Sequence, residues 1–138
     1  MDCDYDDPES VVLFFIAAMH HWEIESHASQ RAARNSANPA AYQPAVVASM
    51  TDIFARFCTP KLRPHGRTAS FQNPPEYDTS HETIVNFDVR STTASVRTQR
   101  DAVFGGLFRY SLKRIDDRWL IDTLKQCNDD GSESPAVL

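Results

Sequence analysis

Apolar residues never run for more than nine positions in this sequence, at 11–19, against the roughly 20 that a bilayer-spanning helix needs. Asp2, Asp4, Asp6, Asp7 and Glu9 precede that run, so it also lacks the positive flank of an export signal. Cysteine is scarce. Cys3, Cys58 and Cys127 are an odd number without a CxxC pair, which suits free thiols in a reducing cytoplasm better than a disulfide framework. His20, His21, His27, His65 and His81 stand at no finger-like interval from those cysteines, so neither a metal site nor a cofactor is expected. No dense run of bases marks a nucleic-acid patch. What remains is a chain of 138 residues, 41% hydrophobic and 24% charged. That composition is not that of a disordered chain, and the length fits one globular domain.

The formal net charge of -5 is unevenly spread. Five of the 19 acids lie in residues 1–9, and Asp129, Asp130 and Glu133 lie in residues 128–138, with no base in either segment. Residues 10–127 therefore hold 11 acids against all 14 Lys and Arg, a mildly basic body between acidic ends. Eleven of those bases are Arg, whose planar fork suits bidentate contacts with carboxylates or phosphates.

Local patterns place the elements. Asp7 is a good N-cap, with Pro8 in the first helical position and Glu9 in the first turn. Val12, Phe15, Ile16, Met19 and Trp22 form one helical stripe, widened by Val11, Phe14 and Ala18. A helix over about 8–28 follows, turning polar and leaving the core from His20 onward. A second helix begins near Asn38 or Gln43, carries Val46, Met50, Ile53 and Phe57 as its stripe, and stops before Pro60. The proline-rich segment 60–80 reads as irregular, with a short strand near Ala69 and Phe71.

Beyond Ser80 the period changes to two. Strands are expected over 82–90, 93–99, 104–113 and 119–124, with Gly105 and Gly106 marking a bend and Asp116 and Asp117 a hairpin turn. Helices followed by a run of strands indicate an α+β fold with an antiparallel sheet. A strongly bent sheet wrapped around the long first helix would make a cone over residues 1–127, leaving 128–138 as a flexible acidic tail.

Particular segments then carry a resemblance. Met19-His20-His21-Trp22-Glu23, Ile53-Phe54-Ala55-Arg56-Phe57-Cys58-Thr59, Pro74-Pro75-Glu76-Tyr77-Asp78, Ala94-Ser95-Val96-Arg97-Thr98 and the closing hairpin with Tyr110 and Trp119 resemble bacterial polymorphic-toxin immunity proteins of the nuclear-transport-factor-2-like fold. The resemblance implies a cytoplasmic antitoxin, monomer or homodimer, that neutralises a cognate toxin by stoichiometric binding and contains no catalytic residue. Contact residues expected on that basis are Glu76, Tyr77 and Asp78, on a loop stiffened by two prolines, and the strand arginines Arg90, Arg97 and Arg109.

Two alternatives stand beside this reading. An enzyme of the polyketide-cyclase or dehydratase type would pair His20 or His21 with Tyr110 or Asp122 inside the cone, where burial tunes the proton acceptor. A dimerising accessory module would expose an apolar sheet face. Phe14, Phe15, Ile16 and Met19 favour a cone filled with apolar side chains over a polar chamber, with Glu23 either solvated or capping a neighbour where the first helix leaves the core, or else placed with His20 at the mouth of the cone.

Overall fold

The computed structural model describes residues 3–61, 76–101 and 105–136. The expected strand near Ala69, the stiffening by Pro74 and Pro75, and Phe104 lie outside those residues. Helix α1 spans Pro8–Ala33 and α2 spans Gln43–Phe57. Then follow β1 (Glu82–Val89), β2 (Thr93–Arg100), β3 (Gly106–Ile115), β4 (Arg118–Cys127) and a short β5 (Glu133–Pro135). Each strand pairs antiparallel with the next, giving one open sheet in sequence order. The α+β class and the antiparallel sheet are as the periodicity predicts. Among the described residues no helix is long and apolar enough to cross a membrane.

Helix α1 starts where its caps dictate, the Asp7 carboxylate accepting the Glu9 N–H at 3.0 Å. It runs five residues further than its apolar stripe suggests, because burial does not stop at Trp22: Glu23 and Ser26 are also buried. Phe15 holds the centre of the core. Its ring meets those of Tyr77, Phe54, Phe57 and Tyr110 edge-on, with centroids 5.6–6.5 Å away. The Trp22 indole donates to the Val46 carbonyl at 3.0 Å, which ties α1 to α2. At the far end of α2, Cys58 makes a parallel bridge to Ile121 and so joins the helices to β4.

Two bulges set which side chains face the helices. Val85 is an extra residue in β1 and Asp122 an extra residue in β4. Each reverses the alternation of its strand. Glu82 and Ile84 face inward before the first bulge; after it the inward set is Phe87 and Val89, opposite the buried Val96 and Ala94. The hairpin turn at Asp116 and Asp117 has positive φ at both residues, 50° and 62°, the mirror-image turn that matches strand twist. The expected bend at Gly105 and Gly106 is instead the start of β3, where Gly106 has φ 139°.

The acidic end does more than fray. Glu133 takes two hydrogen bonds from Arg109, at 2.6 and 2.7 Å, and Asn128 bonds the Ser132 and Ser134 hydroxyls. These contacts fold β5 onto β4 and extend the domain past residue 127. The Arg109 hydrogen bonds hold the Glu133 carboxyl down at about 2, against 4.5 ordinarily. A carboxyl depressed on folding contributes stability that is complete above about pH 4.5 and is lost as pH falls through about 2. The protection of β5 amides against exchange, taken relative to their intrinsic rates, should therefore fall as pH drops between those values, more than in β3. Glu133→Gln should exchange quickly already at neutral pH and show little of that dependence; a dependence equal to the wild type would assign the effect to another group.

Candidate functional site

The hollow between sheet and helix is apolar at one end only. At the other, the Arg100 guanidinium, with 2% of its side chain exposed, lies across from Glu82, with 1% exposed. Nε of Arg100 donates to Oε1 of Glu82 at 2.8 Å. Oε2 of Glu82 accepts from the Thr98 hydroxyl at 2.6 Å and the Tyr110 phenol at 2.9 Å. Nη1 of Arg100 reaches Glu76 at 3.1 Å and Nη2 reaches the Tyr110 oxygen at 3.4 Å. Its flat faces lie over the rings of Phe108 and Tyr77, at 3.9 and 4.8 Å. Burial opposes the arginine's charge, yet Tyr110, Glu82 and Tyr77 outweigh it and hold the guanidinium above its ordinary pKa. Burial, reinforced by Glu82, pushes the Tyr110 phenol well up, so it serves as a donor.

Helix α1 completes this network. Glu23, fully buried, accepts the backbone N–H groups of Glu76 and Tyr77 at 3.2 and 3.0 Å. His20 Nδ1 lies 2.8 Å from the Tyr77 carbonyl; a carbonyl only accepts, so that nitrogen carries the proton. Segment 76–78 is thus clasped from both layers. This corrects one expectation, since the interior is not filled by apolar side chains alone, and decides between two others: Glu23 is not solvated but lies with His20 at the mouth. The missed groups, Arg100 and Glu82, had a signal. Arg100 continues the inward set Ala94, Val96 and Thr98 of β2, whereas the signal at Glu82 is weaker, because the extra residue in β1 breaks its alternation.

The opposite face of the sheet is polar. Direct pairing sets Asn86, Arg97, Arg109 and Lys125 in one row across four strands. Like charges directly opposite are destabilising; Glu133 relieves this at Arg109 and, more weakly, at Lys125, leaving Arg97. Arg97 is exposed and makes no hydrogen bond or ion pair among the described residues. Arg90, at the β1–β2 turn, is exposed and pairs with Asp88 at 3.2 Å.

The six expected contact residues therefore occupy two places. Arg90, Arg97 and Arg109 belong to the outer face and its rim. Glu76, Tyr77 and Asp78 belong to the mouth of the hollow, where Tyr77 has no exposed area and acts as a wall of the core. Of the acid–base groups an enzyme would use, His20 and Asp122 sit in separate clusters, His21 pairs with Glu25 along α1, and the Tyr110 phenol is engaged with Glu82 and Arg100. Asp122 accepts from Thr59 at 2.8 Å and pairs with Lys61 at 3.2 Å. Burial works against its charge, but these partners hold its carboxyl below the usual range. Among the described residues no group of three His, Cys, Asp or Glu is placed to hold a metal ion.

Comparison with known proteins fits this architecture. Residues 7–132 match the family described as NTF2 fold immunity protein. The chain belongs to that family. It is also 31% identical over 116 residues to the immunity protein RhsIA of Dickeya dadantii (strain 3937), covering 83% of this chain and 82% of that protein. No solved structure matches.

In this immunity-family chain the buried pair has a measurable weight. Arg100→Ala leaves Glu82 buried without its cation and should cost about 3–5 kcal/mol in urea denaturation. Thr98→Val removes one hydrogen bond to a charged carboxylate and should cost about 1.5–3 kcal/mol. An Arg100→Ala loss no larger than that of Thr98→Val would show that the pair is not what anchors the mouth.

Proposed function

We propose that this protein acts in the cytoplasm as an antitoxin, binding one cognate toxin effector stoichiometrically and performing no catalysis of its own. The observation that carries the reading is membership of the immunity family across residues 7–132. The layout of charge supports it. The inward polar groups are engaged with one another, whereas Arg97 presents its guanidinium outward from β2, and Arg90, paired with Asp88, lies exposed at the β1–β2 turn. A guanidinium held this way offers planar, bidentate recognition of a carboxylate.

In this reading Arg90 and Arg97 meet acidic groups of the toxin, and Arg109, beside Arg97, adds to their field. Asp78 offers a carboxylate at the mouth, while Glu76 and Tyr77 position the segment from within. Opposite charge at the rim of an interface mainly accelerates encounter.

Co-expression of this chain with the toxin encoded by the adjoining gene should restore growth, and light scattering on the purified mixture should give a stoichiometric complex. Arg97→Glu should slow association by about ten-fold at low salt and much less at high salt, the signature of electrostatic steering. Growth arrest despite expression of both proteins would end the antitoxin reading. Unchanged association kinetics would remove Arg97 from the contact.

A further inference from the structure

The β1–β2 ladder leaves part of its backbone unpaired. At the turn Arg90 N–H donates to Thr93 O at 2.8 Å, and at the other end Asp101 N–H donates to His81 O at 2.9 Å. Bonded and non-bonded residue pairs alternate along an antiparallel ladder. Counting from either end, with Val85 as the extra residue, gives the same phase. Asn86 and Asp88 bond across to Arg97 and Ser95, while Phe87 and Val89 turn their N–H and C=O groups away from β2. β1 is the outermost strand, and among the described residues nothing bonds to that edge.

The side chains beside the edge are apolar and uncovered. Phe87 is 54% and Val89 47% exposed, both on the helix side of the sheet. Such a row of donors and acceptors, met by water in the free protein, is a template for another extended backbone.

A second copy of this chain fits the edge poorly. A two-fold axis through Asp88 sets two like carboxylates opposite each other. An axis through Phe87 brings the Val85 bulge of each chain against Val89 of the other. An axis through Val89 runs each strand into the other's 91–92 turn. A foreign strand meets none of these conflicts.

Resting on the antitoxin reading, we propose that an extended segment of the toxin adds to β1 at residues 86–90 as a further strand. Its alternate side chains are apolar where they face Phe87 and Val89, and polar where they flank Asp88 and Arg90. The main chain supplies the hydrogen bonds, and the alternation selects the segment.

The test uses the full chain and the toxin domain encoded by the adjoining gene. Val89→Pro removes one outward N–H, and Phe87→Lys puts a charge on the apolar strip; each should weaken calorimetric binding by about ten-fold or more with the circular dichroism of the fold retained. In the unmutated complex the amides of Phe87 and Val89 should exchange markedly more slowly than in the free protein, a readout that does not depend on the variants folding. A wild type that forms no complex overturns the antitoxin reading and this inference with it. Wild-type binding without slowed exchange at Phe87 and Val89 overturns the edge alone, as does a homodimer that Phe87→Lys dissolves.

Discussion

The ion pair between Arg100 and Glu82 constrains much of what surrounds it. Removing two charges from water costs several kcal/mol per ion, and only close geometry with further hydrogen bonds offsets it. Here every partner comes from a different part of the chain: Glu82 from β1, Tyr110 from β3, Glu76 from the segment at the mouth, with Glu23 of α1 fastening that segment. Glu82 and Arg100 are directly paired across β1 and β2. A one-residue slip would turn one of them to the outer face and leave the other buried alone. The pair therefore penalises wrong registers of the hairpin more than it rewards the right one.

That register is what makes the Val85 bulge consequential. Without an extra residue, the parity that sends Glu82 inward would also send Asn86 and Asp88 inward, and Phe87 and Val89 outward. The bulge resets the phase, so polar residues of the second half of β1 join the outer face and apolar ones stay on the helix side. Asp122 does the same in β4, keeping Ile121 and Leu124 both buried while the carboxylate turns to Thr59 and Lys61. One sheet thus carries two different chemistries along a single strand.

Much of this was legible in the residues. The Asp7-Pro8-Glu9 cap, the Phe15 stripe and the Asp116-Asp117 turn each act through local geometry, and each lies where its pattern predicts. The adjacent pair Ile84-Val85 breaks an otherwise alternating strand, a visible trace of the bulge. The buried network was not legible for a physical reason. Whether Glu23 is solvated or buried depends on the backbone N–H groups of Glu76 and Tyr77, 53 and 54 residues away; helical periodicity reports only the apolar face. The acidic end misled in the same way, since composition alone cannot show that Glu133 meets Arg109.

The folded ends also bear on how a partner arrives. Glu133 closes on Arg109, and Asp6 reaches Arg114 at 3.2 Å, so acids from both termini neutralise the basic body locally. Arg97 is left out of this compensation, and its neighbour across the ladder is Asn86 on β1. A cation without an acid partner thus lies beside the strand to whose edge nothing bonds among the described residues. Charge acts over about 10 Å at ordinary ionic strength, whereas a backbone hydrogen bond acts only at contact. In the proposed complex the two operate in sequence: the cation draws an acidic partner toward the sheet, and the β1 edge then fixes its register.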